Sequence, residues 1–253
     1  MARQRHCRRW RLRVIVVAAA LLPALAAPGP ARAATGPDGA PPFGFPFEGR
    51  PGPSTWLMGQ MYGNTTSAFR RGDLWYAAGQ GLHFGIDVLA RCGTPVVAIG
   101  DGEVVQADWT ARGSGPHNLV VRHPQQAVTV LYGHLLERPA FSPGESVARG
   151  QRIGLSGDPD VTCDSRPHLH LEIRSLDYRT AYNPALWIDA DWDAVMLLGP
   201  FSDVHFARDL ADPLRWVRGE DQPDVHFGGA AINRYQEAWP GSAADAACVV
   251  VGC

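Results

Sequence analysis

The sequence predicts a mostly β domain, antiparallel and sandwich-like, over residues 56–190. Two observations predict it. From Leu82 to about Ile188, short runs rich in β-branched residues ("TPVVAIGDGEVVQA", "HNLVVRH", "AVTVLYGHL", "GQRIGLSG", "HLHLEIR") are cut by glycine turns, with few helical stretches between them. The stretch "PHLHLEIR", residues 167–174, also alternates: in a strand, His168, His170 and Glu172 share one face while Leu169, Leu171 and Ile173 share the other.

The elements follow in order. With 253 residues, 45% of them hydrophobic, the chain can bury a sizeable core in one domain with a smaller appendage. Residues 1–33 read as a signal peptide: an arginine-rich start, the apolar run "VIVVAAALLPALAA", and "ARA" as a cleavage site. The run is shorter than the roughly 20 residues that cross a bilayer, and Pro23 interrupts it. A soluble exported product without stable membrane insertion is therefore expected, through the general secretory or, given the adjacent Arg8 and Arg9, the twin-arginine route. Residues 34–55 are rich in Pro and Gly and read as a linker or a surface-hugging arm. After the β region, residues 191–253 form an extension with a short helix expected around "INRYQEAW" and a repeated phrase, "DVHF", at 203–206 and 224–227. Two similar strand edges in a hairpin account for the repeat, and a second metal site is the alternative.

Charge excludes one class of partner. The first 33 residues hold seven of the 23 basic residues and no acidic ones, so the chain beyond them stands at about −9 with no footprint for nucleic acid. Every basic residue is arginine. Without a lysine, the "GESVARGQRIG" hairpin cannot be that of a lipoyl or biotinyl carrier.

Cys7 lies in the signal, leaving Cys92, Cys163, Cys248 and Cys253 in a compartment that permits disulfides. Three pairings are possible. The terminal "CVVVGC" makes a compact local ring with a glycine for its turn, which leaves Cys92 for Cys163, unless a pair stays reduced.

Two further segments supply groups of the kind on the "HLH" face. In "GLHFGIDV", an extended chain puts His83, Gly85 and Asp87 on one face, with glycine leaving room between two potential ligands. In "VLYGHLLE", His134 falls at a strand end, after Gly133. Together the segments hold three ligands for a zinc ion, with a water in the fourth position, and two further bases.

Taken in order, "GLHFGIDV", "GTPVVAIGDGEVV", "LYGHL", "GESVARGQRIGLSG" and "PHLHLEIR" resemble the motifs of the lysostaphin-type, or LytM-like, zinc endopeptidases of the bacterial cell wall, with a core match over residues 81–188. The resemblance implies an open groove holding one Zn2+ per chain, with His83, Asp87 and His170 as ligands and His134 and His168 as an acid/base pair. It implies crosslinked peptidoglycan peptide as substrate and a secreted, periplasmic or cell-wall-associated monomer. Glu172 either orients a ligand or is solvated or salt-bridged. The chain departs from the pattern at "DPDVTCDSRP", where relatives have a shorter glycine- and threonine-rich turn. A non-hydrolytic wall-binding or hydrolase-activating module on the same scaffold is the alternative, and the presence of all five groups argues for activity.

Overall fold

The computed structural model describes residues 39–109, 115, 117–159, 163–197, 207–212 and 214–234. The signal peptide, the first "DVHF", Cys248 and Cys253 lie outside the described residues, as does most of the helix expected near residue 235; residues 232–234 of that stretch are not helical.

The fold is mostly antiparallel β-sheet with few helices, as the sequence predicts. Its main sheet runs in the order β1 (Trp56–Gln60), β2 (Ile86–Ala90), β9 (His168–Ser175), β6 (Val128–Gly133), β5 (Leu119–His123), β4 (Gly102–Ala107) and β7 (Ser146–Val147). From β9 the sheet also branches to β10 (Thr180–Tyr182) and then to β13 (Val225–His226). Two small sheets accompany it: β3 (Pro95–Val97) with β8 (Arg152–Leu155), and β11 (Ala207–Arg208) with β12 (Trp216–Val217). The described helices are short, α1 (Thr66–Arg71) and α2 (Trp192–Leu197).

The alternation in "HLHLEIR" places β9 at the centre. Leu169, Leu171 and Ile173 are fully buried in the core beside Ile86, Val88, Val130 and Tyr132. The opposite face is not solvated either: His168, His170, Glu172 and Arg174 are all buried. A buried polar face must be satisfied by its own partners, and that requirement organises the site below. The Pro/Gly-rich segment before β1 enters the same core through Phe43, whose ring stacks near Trp187 and whose backbone bonds that of Trp187 and Asp189.

Cys92 and Cys163 are disulfide-bonded with their Cα atoms 5.6 Å apart. Cys92 follows β2 and Cys163 precedes β9, so the bond ties two strands that pair along their length. Within the same loop, the buried Asp158 carboxylate accepts from Ser165 N and Oγ at 3.1 and 3.2 Å, which explains one acidic residue of the departing segment. Closing a loop of 71 residues restricts the unfolded chain by about 4 kcal/mol. Reduction, or Cys163→Ser, should therefore lower the thermal midpoint by roughly 10 °C for a chain of this size; an unchanged midpoint by calorimetry would refute this.

Candidate metal centre

Strand register brings the predicted residues together. Asp87 of β2 lies opposite His170 of β9, Leu89 lies opposite His168, and Gly133, the last residue of β6, lies opposite His170. His134 thus leaves β6 beside the same strand, with a left-handed backbone (φ 58°) that a β-branched-rich run would not maintain by itself. Its carbonyl accepts from Gly157 N, and the Gly157 carbonyl accepts from His168 N, so a single backbone link connects the two histidines, whose ring centroids are 4.8 Å apart.

His83 is placed differently from expectation. The chain bends at Gly85 rather than running straight, and His83 is held by a two-bond bridge to Gly63: Gly63 N donates to His83 O at 2.7 Å and His83 N to Gly63 O at 3.0 Å. Gly85 leaves room for protein, not for an ion: a Cβ there would sit 2.6 Å from the Leu171 carbonyl oxygen and 2.8 Å from His170 Cε1. Gly85→Ala should therefore push the first ligand segment off β9, lowering stability by about 1–3 kcal/mol and weakening metal binding. Wild-type values for both the midpoint and zinc content would contradict this packing account.

Three donor atoms converge. His83 Nε2 is 3.3 Å from His170 Nδ1 and 3.4 Å from Asp87 Oδ1, and His170 Nδ1 is 2.7 Å from Asp87 Oδ1. Zinc bonds of about 2.0–2.1 Å at tetrahedral angles separate neighbouring donors by roughly 3.3 Å. Two pairs show that spacing, and the third has closed to hydrogen-bond distance. The outward nitrogens complete the fit. His83 Nδ1–H donates to the Met61 carbonyl at 2.8 Å, and His170 Nε2–H to Glu172 Oε1 at 3.2 Å, so each ring turns its other nitrogen to the shared point, where an ion would take the place of the proton that His170 Nδ1 shares with Asp87. These residues fit a zinc ion.

Electrostatics point the same way. Burial by itself would raise the Asp87 carboxyl, yet His83, His168 and His170 hold it well below the usual carboxylate range. Burial by itself would depress His170, yet its bonds to Asp87 and Glu172 raise it to about 10. At the donors themselves the buried carboxylates of Asp87 and Glu172 face the single guanidinium of Arg174, which makes that end of the pocket a place for positive charge. Burial, and then the charges of His170 and His168, push His134 down to about 3, so it is neutral. His168 donates Nδ1–H to the Arg166 carbonyl at 2.6 Å and turns Nε2 toward the triad, 3.9 Å from Asp87 Oδ1.

Several supporting residues carry no motif signal. Arg174 Nε donates to Glu172 Oε2 at 2.5 Å, so Glu172 both orients His170 and is salt-bridged. The Arg174 guanidinium lies 4.3 Å over the ring of Phe227, in the second "DVHF", and Phe227 meets Phe84, which packs edge-on to His170. Val225 and His226 of that phrase pair with β10, and His226 Nδ1 bonds Thr180 Oγ1. The same segment braces His83. Gln222 Oε1 accepts from Asn64 N at 2.7 Å, its side chain occupies the space a Cβ on Gly63 (φ +92°) would need, and Tyr62 donates to the Pro223 carbonyl.

A cavity of about 830 Å³ is lined by His83, Asp87, His134, His168 and His170. Its far wall includes Arg71, Leu74, Trp75 and Arg166.

Residues 81–184 match the model of Peptidase family M23. Over 106 residues the chain is 36% identical to the glycyl-glycine endopeptidase ALE-1 of Staphylococcus capitis, covering 41% of this chain and 28% of that protein. It is 33% identical over 106 residues to lysostaphin of Staphylococcus simulans, covering 41% and 21%. It is 38% identical over 91 residues to the peptidoglycan DD-endopeptidase ShyA of Vibrio cholerae, covering 36% and 20%. The chain thus spans less than a third of each of these relatives. A solved structure of the lysostaphin catalytic domain from Staphylococcus simulans superimposes with a TM-score of 0.40 at 27% identity, covering 51% of this chain and 90% of that one. The segment that matches Peptidase family M23 holds the three converging donors and both further histidines.

Proposed function

We propose that the chain is an exported, zinc-dependent endopeptidase that hydrolyses peptide bonds of peptidoglycan. One observation carries this reading: three donors suited to zinc share a cavity with two imidazoles that are not needed as ligands. The relatives' names supply the substrate class, and the N-terminal signal pattern supplies export.

His83, Asp87 and His170 would hold the ion, leaving a +1 centre. Zinc in such a setting activates water as a nucleophile near neutral pH and polarises a carbonyl. The chain's own residues do the rest. The Met61 carbonyl and Glu172 fix the two ligand rings in the tautomers that aim lone pairs inward. His168, its Nδ1–H tied to the Arg166 carbonyl, presents a lone pair at Nε2 and takes the proton from the attacking water. His134, neutral in its partly buried position and with its ring 4.8 Å from that of His168, serves the oxyanion or the leaving amine as the second member of one acid/base unit.

The test is mass spectrometry of purified wall fragments after incubation with the zinc-loaded protein. New amino termini at crosslinks are expected. Fragments left intact would favour a wall-binding module, and release only of terminal residues would favour a carboxypeptidase.

A further inference from the structure

Beside the metal centre the cavity wall changes character. Helix α1 is capped by Thr65, whose Oγ1 accepts from Ala68 N, and it ends at Arg71. The chain then turns back on itself, Trp75 N bonding the Arg71 carbonyl at 2.9 Å, so that the Arg71 guanidinium lies 4.4 Å from the centre of the Trp75 ring. Arg166, from the segment before β9, brings a second guanidinium to 5.7 Å from the same ring. Trp75 remains 47% exposed and its neighbour Leu74 75% exposed, large apolar surface left to solvent at the mouth of the cavity.

Among the described residues six arginines, Arg122, Arg138, Arg174, Arg215, Arg218 and Arg234, each meet a carboxylate. Among the described residues neither Arg71 nor Arg166 does; Arg71 bonds only the Ser67 hydroxyl, at 3.1 Å. A chain of net charge −2 therefore leaves two guanidiniums uncompensated around one aromatic face, inside the cavity that holds the metal centre. The patch is also tied to that centre. Trp75 meets Tyr76, Tyr76 packs edge-on to His83 at 5.4 Å, and the Arg166 carbonyl fixes His168. The donor triad and this wall line one cavity.

We propose that Arg71, Trp75 and Arg166 form a subsite for a carboxylate-bearing residue flanking the scissile bond, so that the preferred substrates are wall peptides with free carboxylates beside the cut rather than neutral segments such as oligoglycine. Guanidinium forks bind carboxylates with charge-assisted hydrogen bonds, and the indole face covers the aliphatic stem. A glycine segment offers neither partner. The proposal rests on the endopeptidase reading, and binding measurements separate the two.

The experiment titrates the zinc-loaded protein by calorimetry with a crosslinked wall peptide bearing free carboxylates, and with the same peptide after conversion of those carboxylates to carboxamides. Hydrolysis of both is followed in parallel. The carboxylate peptide should bind roughly tenfold more tightly, as expected for a charge-assisted contact at an exposed site. The double variant Arg71→Gln, Arg166→Gln should bring the two affinities to near equality with zinc content unchanged. Equal binding of the two peptides by the unmodified protein, or a preference that survives the double variant, would overturn the subsite. So would a glycerol phosphate oligomer that displaces the carboxylate peptide at lower concentration than the peptide itself, since the anion served would then be phosphate. Preferential binding without hydrolysis of either peptide would uphold the subsite and overturn the peptidase reading. Hydrolysis of both with the same KM would do the reverse.

Discussion

Asp87→Ala should bind zinc on the order of 100-fold more weakly than the unmodified chain, or worse, while its circular dichroism stays the same. Loss of partners that merely orient a ligand already costs about 10–100-fold in affinity, and this change removes the one carboxylate among the three converging donors. What remains is two imidazoles beside a Glu172–Arg174 pair that is already balanced. The strand survives because Asp87 contributes its backbone to the ladder on both sides, to β1 and to β9, and an alanine does so equally well. Metal analysis after dialysis checks the claim; equal zinc in the two proteins would mean that the donors have been misassigned.

The second large effect concerns rate. His134→Ala and His168→Ala should each retain zinc and each lose about 10²-fold or more in kcat, the usual contribution of a positioned acid or base. The double variant should be little worse than either single one, because residues that act as a unit are non-additive. Their placement supports the unit: one backbone relay through Gly157 connects them and their rings are 4.8 Å apart. Steady-state kinetics with metal analysis on the same samples decides the point. Zinc loss in His168→Ala would show that the two histidines of "HLH" had been exchanged.

Much of this was legible in the sequence, for a physical reason. Period-two alternation is a local property, so β9 and the face shared by His168, His170 and Glu172 could be read directly. Arg174 continues that same face, and its role was available to the same logic; a run of four buried polar residues demands internal pairing. The bend at Gly85 was harder. A glycine between two ligands reads as space for an ion, and only the register of β2 on β9 reveals that the space is filled by the Leu171 carbonyl and His170. The Arg71–Trp75–Arg166 wall was not legible at all, since it joins residues almost a hundred positions apart across a short helix and a loop that carry no periodic signal. Nor was the destination of the second "DVHF": its strand finds β10, and Phe227 finds Arg174, through long-range packing alone.

That destination has a thermodynamic consequence. Residues 219–227 brace the loop that carries the Met61 carbonyl through Gln222 and Pro223, and brace the Glu172 carboxylate through Phe227 and Arg174, so one short segment touches the supports of both histidine ligands from outside. Coupling of this kind is reciprocal. Whatever affinity the ion gains from rings already held in place, the docked segment gains back as resistance to local opening when the ion is bound. Residues 219–227 would therefore respond to occupancy of the centre without touching the donors themselves. Amide exchange at Val225 and Phe227 would slow on adding zinc by the same factor that deleting the segment would weaken zinc binding.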